Sequence, residues 1–167
     1  MSQRKKFKYL ESYIDIDDAS SNRFIPLTLM DVEEEERRLE FKFPEQLREF
    51  YLNIGFGVFR HTHDRKIVQD CHANRLMDPT SVADIYLLGY ESGQILPSVK
   101  FKPGYLPFFE VGDGDVFFSL RPTDVDPNVV YGMFGEIVAP SFEKFIWRLY
   151  YESPTFYMKD WGKEESS

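Results

Sequence analysis

The residues with the greatest chemical capacity fall in two short strings. One runs from His61-Thr62-His63-Asp64 to Cys71-His72 and holds all three histidines and the single cysteine of the chain. Imidazole, thiolate and carboxylate all ligate zinc, so His61, His63, Asp64, Cys71 and His72 are the candidate metal cluster. On a strand His61 and His63 would share one face. The spacing argues against zinc chemistry. In the hydrolase pattern H-x-H-x-D-H, Asp64 comes one place early, Lys66 stands where the last histidine belongs, and there is no Cys-x-x-Cys pair. The string reads as a polar connecting loop, and neither a metal nor another cofactor is expected.

The other string is Gly112-Asp113-Gly114-Asp115, inside "PFFEVGDGDVFFSL". As a calcium loop it fails: with Asp113 and Asp115 in the first two ligand places, Phe117 and Phe118 fall at positions five and six. As a phosphate cradle it also fails, because no lysine follows the glycines and two carboxylates would repel the anion. A tight hairpin turn remains, with Asp-Gly supplying positive φ between two Phe pairs. Covalent catalysis has no better candidate. "GYESG" places its serine one position too late for a nucleophile elbow. Cys71 and His72, as neighbours on a strand, would point to opposite faces. No catalytic residue is assigned, and the chain does not read as an enzyme.

The elements that would position these strings are legible from spacing. Thr28 with Asp31 forms a variant capping box ahead of "LMDVEEEERRLEF", where Val32 and Leu39 share a face. Glu33 and Glu34 precede Arg37 and Arg38 by four residues, so the glutamate run reads as a solvated face. After Pro44, Leu47, Phe50, Tyr51 and Ile54 predict a second helix, ended by the glycines of "NIGFGVF", which suit positive φ. Strand-like residues begin at Val58-Phe59-Arg60. Asp78-Pro79 opens a third helix and Ser141 caps a fourth, whose buried stripe is Phe142, Phe145, Ile146 and Leu149. From Ile95 to Val138, short apolar runs broken by turn residues predict an antiparallel meander. The expected fold is α+β, a single domain with helices packed on an antiparallel-rich sheet over residues 27–152. A lead-in arm of little regular structure (1–26) precedes it and a C-terminal tail (153–167) follows.

Composition narrows the function. A chain of 167 residues with 43% apolar content, 16 Phe and 10 Tyr must fold to hide its rings. A net charge of −8 disfavours direct nucleic-acid binding and accommodates a basic protein partner. No apolar run is long enough to span a bilayer, and the basic start lacks the apolar stretch of a signal peptide, so a cytoplasmic protein is expected. Between Pro103 and Pro140 six carboxylates, Glu110, Asp113, Asp115, Asp124, Asp126 and Glu136, face one base, Arg121. In a meander, several of them would sit in turns at the rim of the sheet, where their field would steer a basic partner. Asp113, Asp115, Asp124 and Asp126 are the candidate partner-binding residues.

The ordered strings "FKFPEQLREFYLNIGFGVF", "DPTSVADIYLL", "YLPFFEVGDGDVFFSL", "NVVYGMFGEI" and "SFEKFIWRLYYE" resemble the SMI1/KNR4 family of the SUKH superfamily, over residues 28–151. The match is closest at Leu106-Pro107-Phe108 and Gly112-Asp113-Gly114-Asp115. It departs at Asn53-Ile54-Gly55-Phe56-Gly57, which spaces out the family's Asn-Gly turn, and at residues 60–75. The resemblance implies a bacterial immunity protein, an antitoxin that binds a cognate polymorphic toxin, often a nuclease, and blocks it stoichiometrically without catalysis. The alternative it leaves is a general scaffold or regulatory binding module. A small hydrolase ranks third.

Overall fold

Seven short strands among the described residues lie side by side in the order in which they occur in the chain. The structure is a computed structural model that describes residues 6–68, 74–88, 104–112, 116–122 and 127–158. The strands are β1 (Arg23–Ile25), β2 (Phe56–Val58), β3 (Asn74–Leu76), β4 (Leu106–Val111), β5 (Val116–Leu120), β6 (Val130–Tyr131) and β7 (Ile137–Ala139). Each pairs antiparallel with the next. Helices α1 (Leu29–Leu39), α2 (Glu45–Asn53), α3 (Pro79–Leu88) and α4 (Phe142–Tyr151) complete the α+β fold that the sequence predicts.

The helix starts follow the cap chemistry. Thr28 and Asp31 exchange both bonds of the capping box, Asp78 accepts from the Ser81 N–H at 3.1 Å, and Ser141 accepts from the Lys144 N–H at 3.0 Å. The helix stripes enter the core as their spacing predicts: Leu47, Phe50, Tyr51 and Ile54 of the second, and Phe142, Phe145, Ile146 and Leu149 of the fourth, are all buried. In β4 the register slips between Pro107 and Phe109, leaving Phe108 as an extra residue. That bulge lets consecutive rings, Phe108 and Phe109, both pack on Phe145, at 5.8 and 5.0 Å between centroids.

Two glycines hold the sheet's first edge, both against the close backbone of β1 and one of them also at positive φ. Gly55 has φ +118, as expected for a helix-ending glycine. Gly57 does not have positive φ. It is required because β1 passes so close that a Cβ would stand 1.9 Å from the Arg23 carbonyl oxygen.

The glutamate run departs from expectation. Glu35 and Glu36 are buried, not solvated. Glu36 accepts from the Phe43 N–H at 2.8 Å and from Arg48 Nε at 3.0 Å, tying α1 to α2. Glu35 accepts from Arg38 at 2.5 Å and from the Thr80 hydroxyl at 3.2 Å, and Arg38 reaches on to Asp84 at 2.6 Å, tying α1 to α3. Helical periodicity locates the apolar stripe but not polar groups that meet partners from distant segments.

The chain ends also carry more structure than their polarity indicates. A 3-10 turn covers Lys8–Tyr13, and Phe7, Leu10 and Phe24 are core residues. Phe7 packs edge-on against Phe50 and Phe142, at 5.0 and 5.8 Å, and Tyr13 and Tyr150 share a hydrogen bond between hydroxyls at 2.7 Å. Beyond α4, Phe156 and Tyr157 are buried, and the Tyr157 hydroxyl donates to Asn74 Oδ1 at 2.5 Å. The string "WGKEESS" lies outside the described residues.

Candidate partner-binding surfaces

The histidine string does not assemble as a strand face. His61 is 1% exposed, whereas His63 is exposed, its ring 5.1 Å from that of Tyr151. The expectation that the two share a face is therefore corrected. Strand β2 ends at Val58, and the chain then turns around Thr62, whose hydroxyl donates to Asp64 at 2.8 Å and accepts from the Ile67 N–H at 3.3 Å. The Lys66 N–H and the Thr62 hydroxyl hold the Asp64 carboxyl below its ordinary range. Cys71 and His72 lie outside the described residues, among which no three His, Cys, Asp or Glu side chains gather as a metal site.

His61 instead meets Ser21, forty residues earlier, with Nε2 and Oγ 3.2 Å apart. Its Nδ1 lies 2.8 Å from the Thr62 carbonyl oxygen, which can only accept, so Nδ1 carries the proton and Nε2 accepts from the Ser21 hydroxyl. That polarity is the one a general base needs toward a hydroxyl nucleophile. Both residues are 1% exposed, however, and no substrate carbonyl reaches Ser21 in this arrangement. Asn22 completes a structural clasp, accepting from the Arg60 and His61 N–H groups and donating to the His61 carbonyl.

The acidic rim divides in two. Asp113, Asp115, Asp124 and Asp126 lie outside the described residues, but their anchors do not. Val111 pairs with Val116, and Gly112 turns with φ +69, so "GDGD" joins two hairpin strands. The Asp124 and Asp126 connection leaves after Leu120, at the other end of β5, about 13 Å away at the usual rise per residue. The described anchors of the two connections thus stand at opposite ends of β5. Glu110 is taken up by Arg75 at 2.9 Å, and Glu136 accepts from the Phe134 N–H at 3.0 Å. The Arg121 guanidinium sits 5.7 Å from the ring centres of both Tyr105 and Tyr131.

A second acidic surface is absent from the sequence reading. A groove of about 330 Å³ opens where the end of β1 meets the first turns of α1 and α3. Its apolar lining is Ile25, Pro26, Leu27, Phe56 and Pro79. Its polar lining is Asp31, Glu34, Glu35, Asp78 and Thr80, with no lysine or arginine. Beside it, Ile25, Leu29 and Met30 are 51%, 52% and 66% exposed. A signal existed in the sequence: Met30 falls off the Val32 and Leu39 stripe, and "IPLTLM" is too apolar for an ordinary approach to a surface helix.

No helix of the described residues is long and apolar enough to cross a membrane. Compared with known proteins, residues 26–148 match the SMI1 / KNR4 family (SUKH-1). The chain is also similar to the immunity protein YxxD of Bacillus subtilis (strain 168), at 28% identity over 151 residues, covering 88% of this chain and 95% of that one.

Proposed function

The chain belongs to the SMI1/KNR4 family (SUKH-1), and from that premise we propose that it is an immunity protein acting in the cytoplasm, which binds a cognate toxin and blocks it one to one without turnover. The observation that carries this reading is the similarity to an immunity protein along nearly the whole of both chains. The toxin in this reading is a nuclease. Nuclease domains hold phosphate backbones with lysine and arginine, and a partner of net charge −8 is complementary to such a cleft. Asp113, Asp115, Asp124 and Asp126 steer the encounter in this reading, as two separately tethered pairs.

The test is to titrate the purified chain into the toxin domain encoded beside its gene, following nucleic-acid cleavage and complex mass. Loss of cleavage complete at equimolar ratio is expected. A toxin domain that neither binds nor is inhibited by the chain would overturn the reading in favour of a scaffold. A bound toxin that cleaves no nucleic acid would keep immunity and remove the nuclease.

A further inference from the structure

We propose that the groove between β1, α1 and α3 is a docking site for a protein segment that presents an apolar side chain flanked by lysine or arginine. The proposal rests on the immunity reading only in naming the toxin as the natural source of that segment. Two independent features describe the occupant. The first is apolar: Ile25, Leu29 and Met30 are half or more exposed within six residues of chain, around a recess floored by Leu27, Phe56 and Pro79. Contiguous apolar exposure next to a concavity is the signature of an interaction site.

The second is charge. Asp31 accepts from the Thr28 N–H with one oxygen, and Asp78 accepts from the Ser81 N–H with one oxygen and from the Ser81 hydroxyl with the other. Hydrogen bonds from Thr28 hold Asp31 below the ordinary carboxylate range. Glu35 is matched by Arg38, but Glu34 stands exposed on the groove wall, and no lining cation offsets it. The recess therefore keeps net negative charge over an apolar floor.

Other occupants fit less well. A phosphate or nucleic-acid backbone would be repelled, and a neutral apolar molecule would gain nothing from the carboxylates. A second copy of this chain would bring the same acidic groove and the same net charge of −8 against it. An apolar residue between basic ones satisfies floor and rim together, with an anchor in the recess and charges around it. The site is also built in advance. Gly55 and Gly57 seat β1 tightly on β2, and both bordering helices are capped by side chains facing the groove, so little ordering is left to oppose binding.

The experiment is to pan a displayed library of random dodecapeptides against the immobilised full chain and to measure the selected peptides on wild type, Met30→Lys, Glu34→Lys and the double variant. Both substituted side chains are exposed, and thermal unfolding matching wild type checks their folding. Selected peptides are expected to carry an apolar residue between lysines or arginines, to bind the double variant at least about tenfold more weakly, and to protect amides of residues 25–35 from hydrogen exchange. An empty selection, acidic or uncharged sequences, or peptides indifferent to both substitutions would overturn the proposal. The toxin domain, measured in parallel, keeps the two ideas apart. Toxin that binds wild type and the double variant equally removes the toxin as the source of the segment and leaves immunity standing. Basic apolar peptides that depend on Met30 and Glu34, with no toxin binding, establish the groove and remove immunity.

Discussion

The Arg23 carbonyl oxygen stands 1.9 Å from where a Cβ on residue 57 would lie, so only glycine at this position lets the first strand close onto the second. Gly57→Ala should lose more than about 2 kcal/mol of stability, because the obstructing atom is backbone and cannot rotate away. Urea unfolding measures it. A loss under about 0.5 kcal/mol would show that β1 shifts aside freely.

Phe145 is fully buried and its ring meets those of Phe108, Phe109, Phe118 and Phe156 at 5.0 to 5.8 Å. Phe145→Ala should cost about 3–5 kcal/mol. A change under about 1 kcal/mol would mean that this ring does not occupy the core.

Glu36 is the only carboxylate receiving both the Phe43 N–H and Arg48 among the described residues. Its replacement by Ala strands a buried N–H and a half-buried guanidinium, for a loss of about 3–5 kcal/mol. Glu34→Ala, two places earlier and exposed, should stay within about 0.5 kcal/mol. Equal effects at the two positions would contradict the buried staple.

Burial raises the hydroxyl pKa of Tyr9, Tyr51, Tyr150 and Tyr157. An unfolded tyrosine releases its proton near pH 10 and these folded ones release theirs higher, so their contribution is intact below about pH 10 and is lost as pH rises toward the folded values. Stability should fall by about 1.4 kcal/mol per pH unit for each proton difference. Denaturant titrations from pH 8 to 12, with phenolate absorbance, check this. A flat profile above pH 10 would place these hydroxyls in water.

In the immunity reading proposed above, the two aspartate pairs should act separately on the toxin encounter, because β5 separates their described anchors. Asp113→Asn with Asp115→Asn, and Asp124→Asn with Asp126→Asn, are each expected to slow association at low salt and to change dissociation little. Stopped-flow association at two ionic strengths distinguishes the pairs. Unchanged rates for both would exclude them from steering.

What could be read in advance was whatever local spacing encodes. Thr28 and Asp31, Asp78 and Ser141 announce their helices because a cap is a contact between near neighbours. Phe50 and Phe145 announce the core because burial follows a helical period. Glu36 finding Arg48, His61 finding Ser21 and Tyr157 finding Asn74 depend on residues 12, 40 and 83 positions apart, which no local pattern joins. The groove was hidden for the same reason: its acids come from α1 and from Asp78 just ahead of α3, and its floor from Leu27, Phe56 and Pro79 on three separate segments.

The contact between Phe7 and Phe142 sets a clock on synthesis. A ribosome moving at about 5–20 residues per second delivers the second ring roughly 7 to 27 s after the first. Until then Phe7 has Phe50 but not Phe142 to pack against, and the sheet lacks the last helix that covers it. A nascent chain therefore cannot close this core until the last helix has been made.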